Sequence, residues 1–184
     1  MSSFRYLAQV NVLMAALVIP MAQGAESSAS AASAATPQLP RMNAALSRLG
    51  QPLSISNVTL AMVVPHMESP ITMTEEMLNR VGCVYRSSDQ AQIRVLTELL
   101  HDAKPRSAFF AFPLQLERLL TVEFINGSRL RFQFGATYSA ISGVPGALED
   151  ERFIVDESFE SDLSHWADGL ARTNCSPSLG WPPS

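Results

Sequence analysis

The stretch Leu119–Phe134, Leu-Leu-Thr-Val-Glu-Phe-Ile-Asn-Gly-Ser-Arg-Leu-Arg-Phe-Gln-Phe, carries two alternating apolar runs on either side of Asn126-Gly127. Asn-Gly between alternating runs is the strongest short-range signal for a β-hairpin. A two-residue turn pairs Ile125 with Ser128, then sets Glu123 opposite Leu130 and Val122 opposite Arg131, which mixes the two faces. A three-residue loop, Ile125-Asn126-Gly127 with Gly127 left-handed, instead pairs Val122 with Leu130, Leu120 with Phe132 and Glu123 with Arg129. Only the second register buries one clean apolar face, so the three-residue loop is expected.

Working outward, Ser54–Val64 alternates at Val58, Leu60, Met62 and Val64 and reads as a strand ended by Pro65. Cys83–Arg86 and Arg152–Val155 are short β-prone runs, Thr137–Ser142 is a further candidate strand, and Gly143-Val144-Pro145-Gly146 reads as a turn. Arg41–Leu49 suits a short helix closed by Gly50. Thr72-Met73-Thr74-Glu75 fits a capping box opening a helix to about Arg80, with Gly82 as its left-handed stop. Asp89 caps a stronger helix whose apolar face is Ile93, Leu96, Leu99 and Leu100, and Pro105 ends it. The last helix starts near Ser158, with Phe159, Leu163, Trp166 and Leu170 on one side. The implied fold class is α+β: an antiparallel sheet of about four or five strands, packed on one face by two main helices.

The ends of the chain read differently from its middle. Arg5, the apolar run Val12–Ile19, Pro20 and the small residues of Ala22-Gln23-Gly24 make residues 1–24 a secretory signal peptide cleaved near Gly24. The apolar run is far shorter than the roughly 20 residues of a membrane-spanning helix, so no membrane span is expected. Residues 25–40, rich in Ala, Ser and Pro, read as a disordered linker. The folded domain is then 41–175, and 176–184 is a Pro-rich tail containing Trp181. Lys104 is the only lysine among 13 cations, a bias that fits a GC-rich bacterial genome and hence a periplasmic or secreted location. In an oxidising compartment the two cysteines, Cys83 and Cys175, are expected to form a disulfide. Closing so long a span would constrain the unfolded chain by roughly 4–5 kcal/mol in the entropic model.

Composition and motifs exclude several functions. The formal charge of −4, with no clustered Lys or Arg, argues against nucleic acid. There is no nucleophile elbow, phosphate-cradling glycine loop or paired-histidine metal motif. No enzyme activity, cofactor or metal is therefore expected. His66 follows Pro65 in a loop, His101 sits at a helix C-terminus where a cation is favourable, and His165 lies beside Trp166. The span Glu149–Asp168 gathers eight of the 17 acids with one cation, Arg152. The simplest reading is a solvated helix face; the functional one is that Glu149, Asp150, Glu151 and Asp156 steer a protein partner with a basic surface. Phe109-Phe110-Ala111-Phe112 is expected to be core or sheet, and Trp181 is a further candidate contact. The function expected is that of an exported non-enzymatic binding protein, such as an inhibitor or immunity-type protein acting on an envelope or secreted enzyme. The alternatives are an assembly subunit of a cell-envelope complex and an envelope hydrolase using His101 or His165.

Overall fold

The computed structural model describes residues 39–51, 54–63, 73–137, 141–170 and, for the backbone, 172–174. The elements in chain order are α1 (Pro40–Leu49), β1 (Ile55–Met62), α2 (Glu75–Val81), β2 (Cys83–Ser87), α3 (Gln90–Asp102), β3 (Arg106–Ser107), β4 (Leu116–Phe124), β5 (Arg129–Gly135), β6 (Val144–Leu148), β7 (Glu151–Val155), α4 (Ser158–Asp168) and β8 (Arg172–Asn174). The strands form one sheet in the order β3-β7-β6-β5-β4-β1-β2-β8, and every pairing is antiparallel. The fold is α+β, with more strands than the four or five expected.

The β4–β5 hairpin adopts the register that burial of one clean face dictates. Val122 pairs with Leu130, Leu120 with Phe132 and Glu123 with Arg129. The Phe124 amide donates to the Ser128 carbonyl across the loop, and Gly127 is left-handed at φ 80°. The Asn126 side chain accepts from the Ser128 amide at 3.0 Å, stiffening the tip.

Even-numbered residues of β4 and β5 (Leu120, Val122, Phe124, Phe132, Phe134) line the main core, together with Val58, Leu60 and Met62 from β1. A register shift between Ile55 and Asn57 lets Ile55 and Val58 enter the same core although they are three residues apart. Helices α1, α3 and α4 cover this face with Met42, Ala45, Leu49, Ile93, Leu96, Leu100, Phe159, Leu163 and Trp166. Phe132, Phe134, Phe153 and Phe159 are among the most completely buried side chains. Each such side chain contributes on the order of 1.5–3 kcal/mol. The Trp166 indole donates to the Gln92 carbonyl at 3.0 Å and ties α4 to α3.

Five features depart from the sequence expectation. First, the helices are not confined to one face: α2 packs on the opposite side, where Leu78 closes a second small core with Ala61, Met73, Val84, Leu116 and Leu119. Strands β1, β2 and β4 are apolar on both faces, so a helix is needed on each. Second, α2 is capped by Thr74, whose hydroxyl accepts from the Met77 amide at 3.2 Å, and not through a box begun at Thr72. Residue 72 lies outside the described residues. Third, Gly82 is extended and not left-handed (φ −76°, ψ 171°). Glycine is needed there for space, since a Cβ would stand 2.5 Å from the Leu78 carbonyl and 2.6 Å from that of Met62. Fourth, the Val144-Pro145-Gly146 segment is strand β6 and not a turn, and it is buried throughout. Pro145 lies past the last pair with β5, so its missing N–H breaks no ladder bond there. Gly146 leaves room for the Phe153 ring, which a Cβ would meet at 2.4 Å. The expected strand Thr137–Ser142 is not seen: Thr137, Ile141 and Ser142 are irregular, and 138–140 lie outside the described residues. Among the described residues the sheet ends in strands of two and three residues, β3 and β8, which leaves little edge there for pairing with another chain.

Candidate functional site

The acids singled out by sequence sit on the β6–β7 hairpin and just beyond it. Leu148 pairs with Glu151, so Glu149 and Asp150 form a two-residue turn, with Glu149 in a left-handed conformation at φ 56°. All three acids turn toward α1. The Arg41 guanidinium meets the Glu149 carboxylate at 2.6 Å and also contacts Asp150. Glu151 accepts from the backbone amides of Arg41 at 3.1 Å and Met42 at 2.7 Å. The residue before α1 is Leu39, which has no capping oxygen, and its first turn holds no acid. A carboxylate from far along the chain therefore satisfies the helix N-terminus that the local sequence leaves open. Asp156 stands apart from this group, 3.9 Å from Arg106. Glu160 reaches under α4 to the buried Arg118, whose guanidinium also meets Glu117 at 3.2 Å. Trp181 and Cys175 lie outside the described residues.

The phenylalanine-rich segment is built differently. Strand β3 holds the loop to β7, and the Ala108 amide continues the ladder to the Arg152 carbonyl at 3.3 Å. Arg152 then reaches back. Its guanidinium donates to the carbonyls of Phe110 at 2.8 Å and Phe112 at 3.0 Å, and its Cζ lies 4.8 Å from the centre of the Phe110 ring. Phe110 is buried and stacks on Phe112 with centroids 5.0 Å apart. Phe109 points the other way and is 96% exposed. The loop is thus clamped through its carbonyls while one aromatic ring stands in water.

A groove of about 430 Å³ opens where α1 ends and β1 begins, against the outer side of α3. Its floor is Leu49, Ile55 and Ile93, and its rim includes Arg94, Glu98 and His101. Among the described residues, neither His101 nor the exposed His165 hydrogen-bonds an acid, and no group of three His, Cys, Asp or Glu side chains is placed to hold a metal. His66 lies outside the described residues. Among those residues, too, no helix is long and apolar enough to cross a membrane.

Two features of the candidate site were not foreseen from the sequence. Phe109 was hidden because alternation cannot say which of three close Phe residues faces out. Arg152 carried a signal: it is the one cation in the acidic stretch Glu149–Asp168. Comparison with protein-family models, with curated proteins and with solved structures finds no match for this chain.

Proposed function

We propose that the chain is an exported, non-catalytic binding protein that engages a protein partner by inserting Phe109 into an apolar pocket. The observation that carries this is Phe109 itself, 96% exposed on a loop whose neighbouring carbonyls are held by Arg152. An exposed aromatic on a pre-ordered loop brings large apolar area to an interface without a further ordering penalty, the pattern of an interface hot spot. The acidic hairpin is the weaker docking candidate, because Arg41 and the N-terminus of α1 already engage Glu149, Asp150 and Glu151. An inhibitor or immunity-type role against an envelope or secreted enzyme fits a protruding aromatic key of this kind.

Export supports an oxidising setting, in which we assign a disulfide between Cys83 and Cys175. Val84 pairs with Asn174, and continuing that antiparallel ladder by one step would bring position 175 opposite Cys83. Directly opposed antiparallel residues have Cα atoms about 4.5–5.5 Å apart, within the roughly 4.4–6.8 Å a disulfide spans. Cys83 is 1% exposed, and among the described residues no cysteine is free.

The binding role is tested by placing a photo-crosslinking phenylalanine analogue at position 109 and, as control, at the exposed tip residue Ile125. Irradiation of cell envelopes should yield a crosslinked species from position 109 and not from 125, abolished by excess unlabelled protein but not by excess F109D. No crosslink at 109, or equal competition by F109D, refutes the assignment.

A further inference from the structure

The groove beside α3 sets two opposite charges, Arg94 and Glu98, over an apolar lining. Leu49, Ile55 and Ile93 are each 4% exposed and form an aliphatic floor. Arg94 and Glu98 stand four residues apart on the wall above it. That spacing puts their Cβ atoms about 5–6 Å apart and would suit an ion pair. Yet among the described residues neither side chain is in an ion pair or a side-chain hydrogen bond. The Gln90 amide donates to the Ile55 carbonyl at 3.1 Å and bounds one end, while His101 bounds the other. Gly50 lies at the mouth with an ordinary helical φ of −70°, a conformation open to any residue. A side chain there would project toward His101, whose Nε2 is 3.9 Å from the Cβ position. The backbone does not require glycine and a Cβ alone would make only ordinary contacts, but a longer side chain would extend toward His101 at the mouth.

We infer that this groove binds a short zwitterionic peptide, about a dipeptide in length, through its C-terminal carboxylate on Arg94, its N-terminal amine on Glu98 and an apolar side chain on the floor. Two residues fully extended span at most about 7 Å, comparable to the roughly 5–6 Å between the Cβ atoms of residues four apart on a helix. A fatty acid offers only the carboxylate and leaves Glu98 facing its tail. The volume of about 430 Å³ lies in the lower range of small-ligand sites. The site is separate from the Phe109 loop, so the two assignments stand or fall independently.

The test is isothermal titration of the purified full chain with Leu-Leu, N-acetyl-Leu-Leu, Leu-Leu-amide and octanoate. Leu-Leu should bind saturably, and each blocked peptide and octanoate at least tenfold more weakly. Arg94→Ala should lose about tenfold for Leu-Leu while erasing the difference between Leu-Leu and its amide. Glu98→Ala should erase the difference between Leu-Leu and its acetylated form. Gly50→Leu should abolish binding, and F109D should leave it unchanged. Unaltered thermal melts of R94A and E98A confirm that these surface variants fold. Absence of saturable Leu-Leu binding, or equal binding of the blocked peptides or octanoate, overturns the assignment.

Discussion

Replacing Glu151 by alanine tests whether the acidic hairpin is an internal cap. The carboxylate accepts two backbone amides of α1, at 3.1 and 2.7 Å, and α1 has no capping side chain of its own. Loss of a helix N-cap costs about 0.5–2 kcal/mol. The favourable contact of an acid with the helix dipole overlaps that figure and is not added to it. Because α1 buries Met42, Ala45 and Leu49 in the main core, the helix cannot fray without exposing them. The expected loss is therefore about 1–2 kcal/mol. With a urea m-value of roughly 2 kcal/mol/M, the midpoint should fall by about 0.5–1 M. Asp150→Ala is the matched comparison, since its side chain is 77% exposed in its ion pair with Arg41. That change should move stability by no more than about 0.5 kcal/mol. Hydrogen exchange supplies the local readout, with amides of α1 losing protection in E151A ahead of those in β4. Equal midpoints for E151A and D150A, or unchanged exchange in α1, would refute the capping argument and return Glu151 to the pool of free acidic surface.

Two other perturbations probe the fold. Gly146→Ala places a Cβ 2.4 Å from the Phe153 ring and 2.9 Å from the Gln133 carbonyl. It should destabilise by about 1–3 kcal/mol, and Phe153→Leu in the same chain should recover part of that loss; a urea midpoint indistinguishable from the parent would contradict the packing described. Non-reducing peptide mapping should find Cys83 and Cys175 in one crosslinked species, and reduction should lower unfolding stability by up to about 4–5 kcal/mol. Recovery of both as free thiols from the exported protein rules the bridge out.

Much of this fold could be read locally. The β4–β5 register followed from Val122, Leu120 and Glu123 alone, because the period of two permits one pairing that keeps a face apolar. The Asp89 cap and the Ile93, Leu96 and Leu100 face of α3 were equally visible, since capping and helical periodicity act within a few residues. What failed was reading glycine and proline as punctuation in β6. Gly146 answers to the ring of Phe153, a neighbour supplied by the adjacent strand.

The candidate sites divide along the same line. Sequence by itself determined the charge balance, the clustering of acids at Glu149–Asp168 and the crowding of three Phe within Phe109–Phe112. Only tertiary structure decided that Arg41 and the bare N-terminus of α1 answer those acids, that Arg152 pins the loop and turns Phe109 outward, and that Arg94 and Glu98 overhang an aliphatic floor. Each of these pairs residues tens of positions apart, or depends on which side of an element meets the core. Local propensity and periodicity carry no information about either, and the packing of helices on both faces of the sheet supplies it.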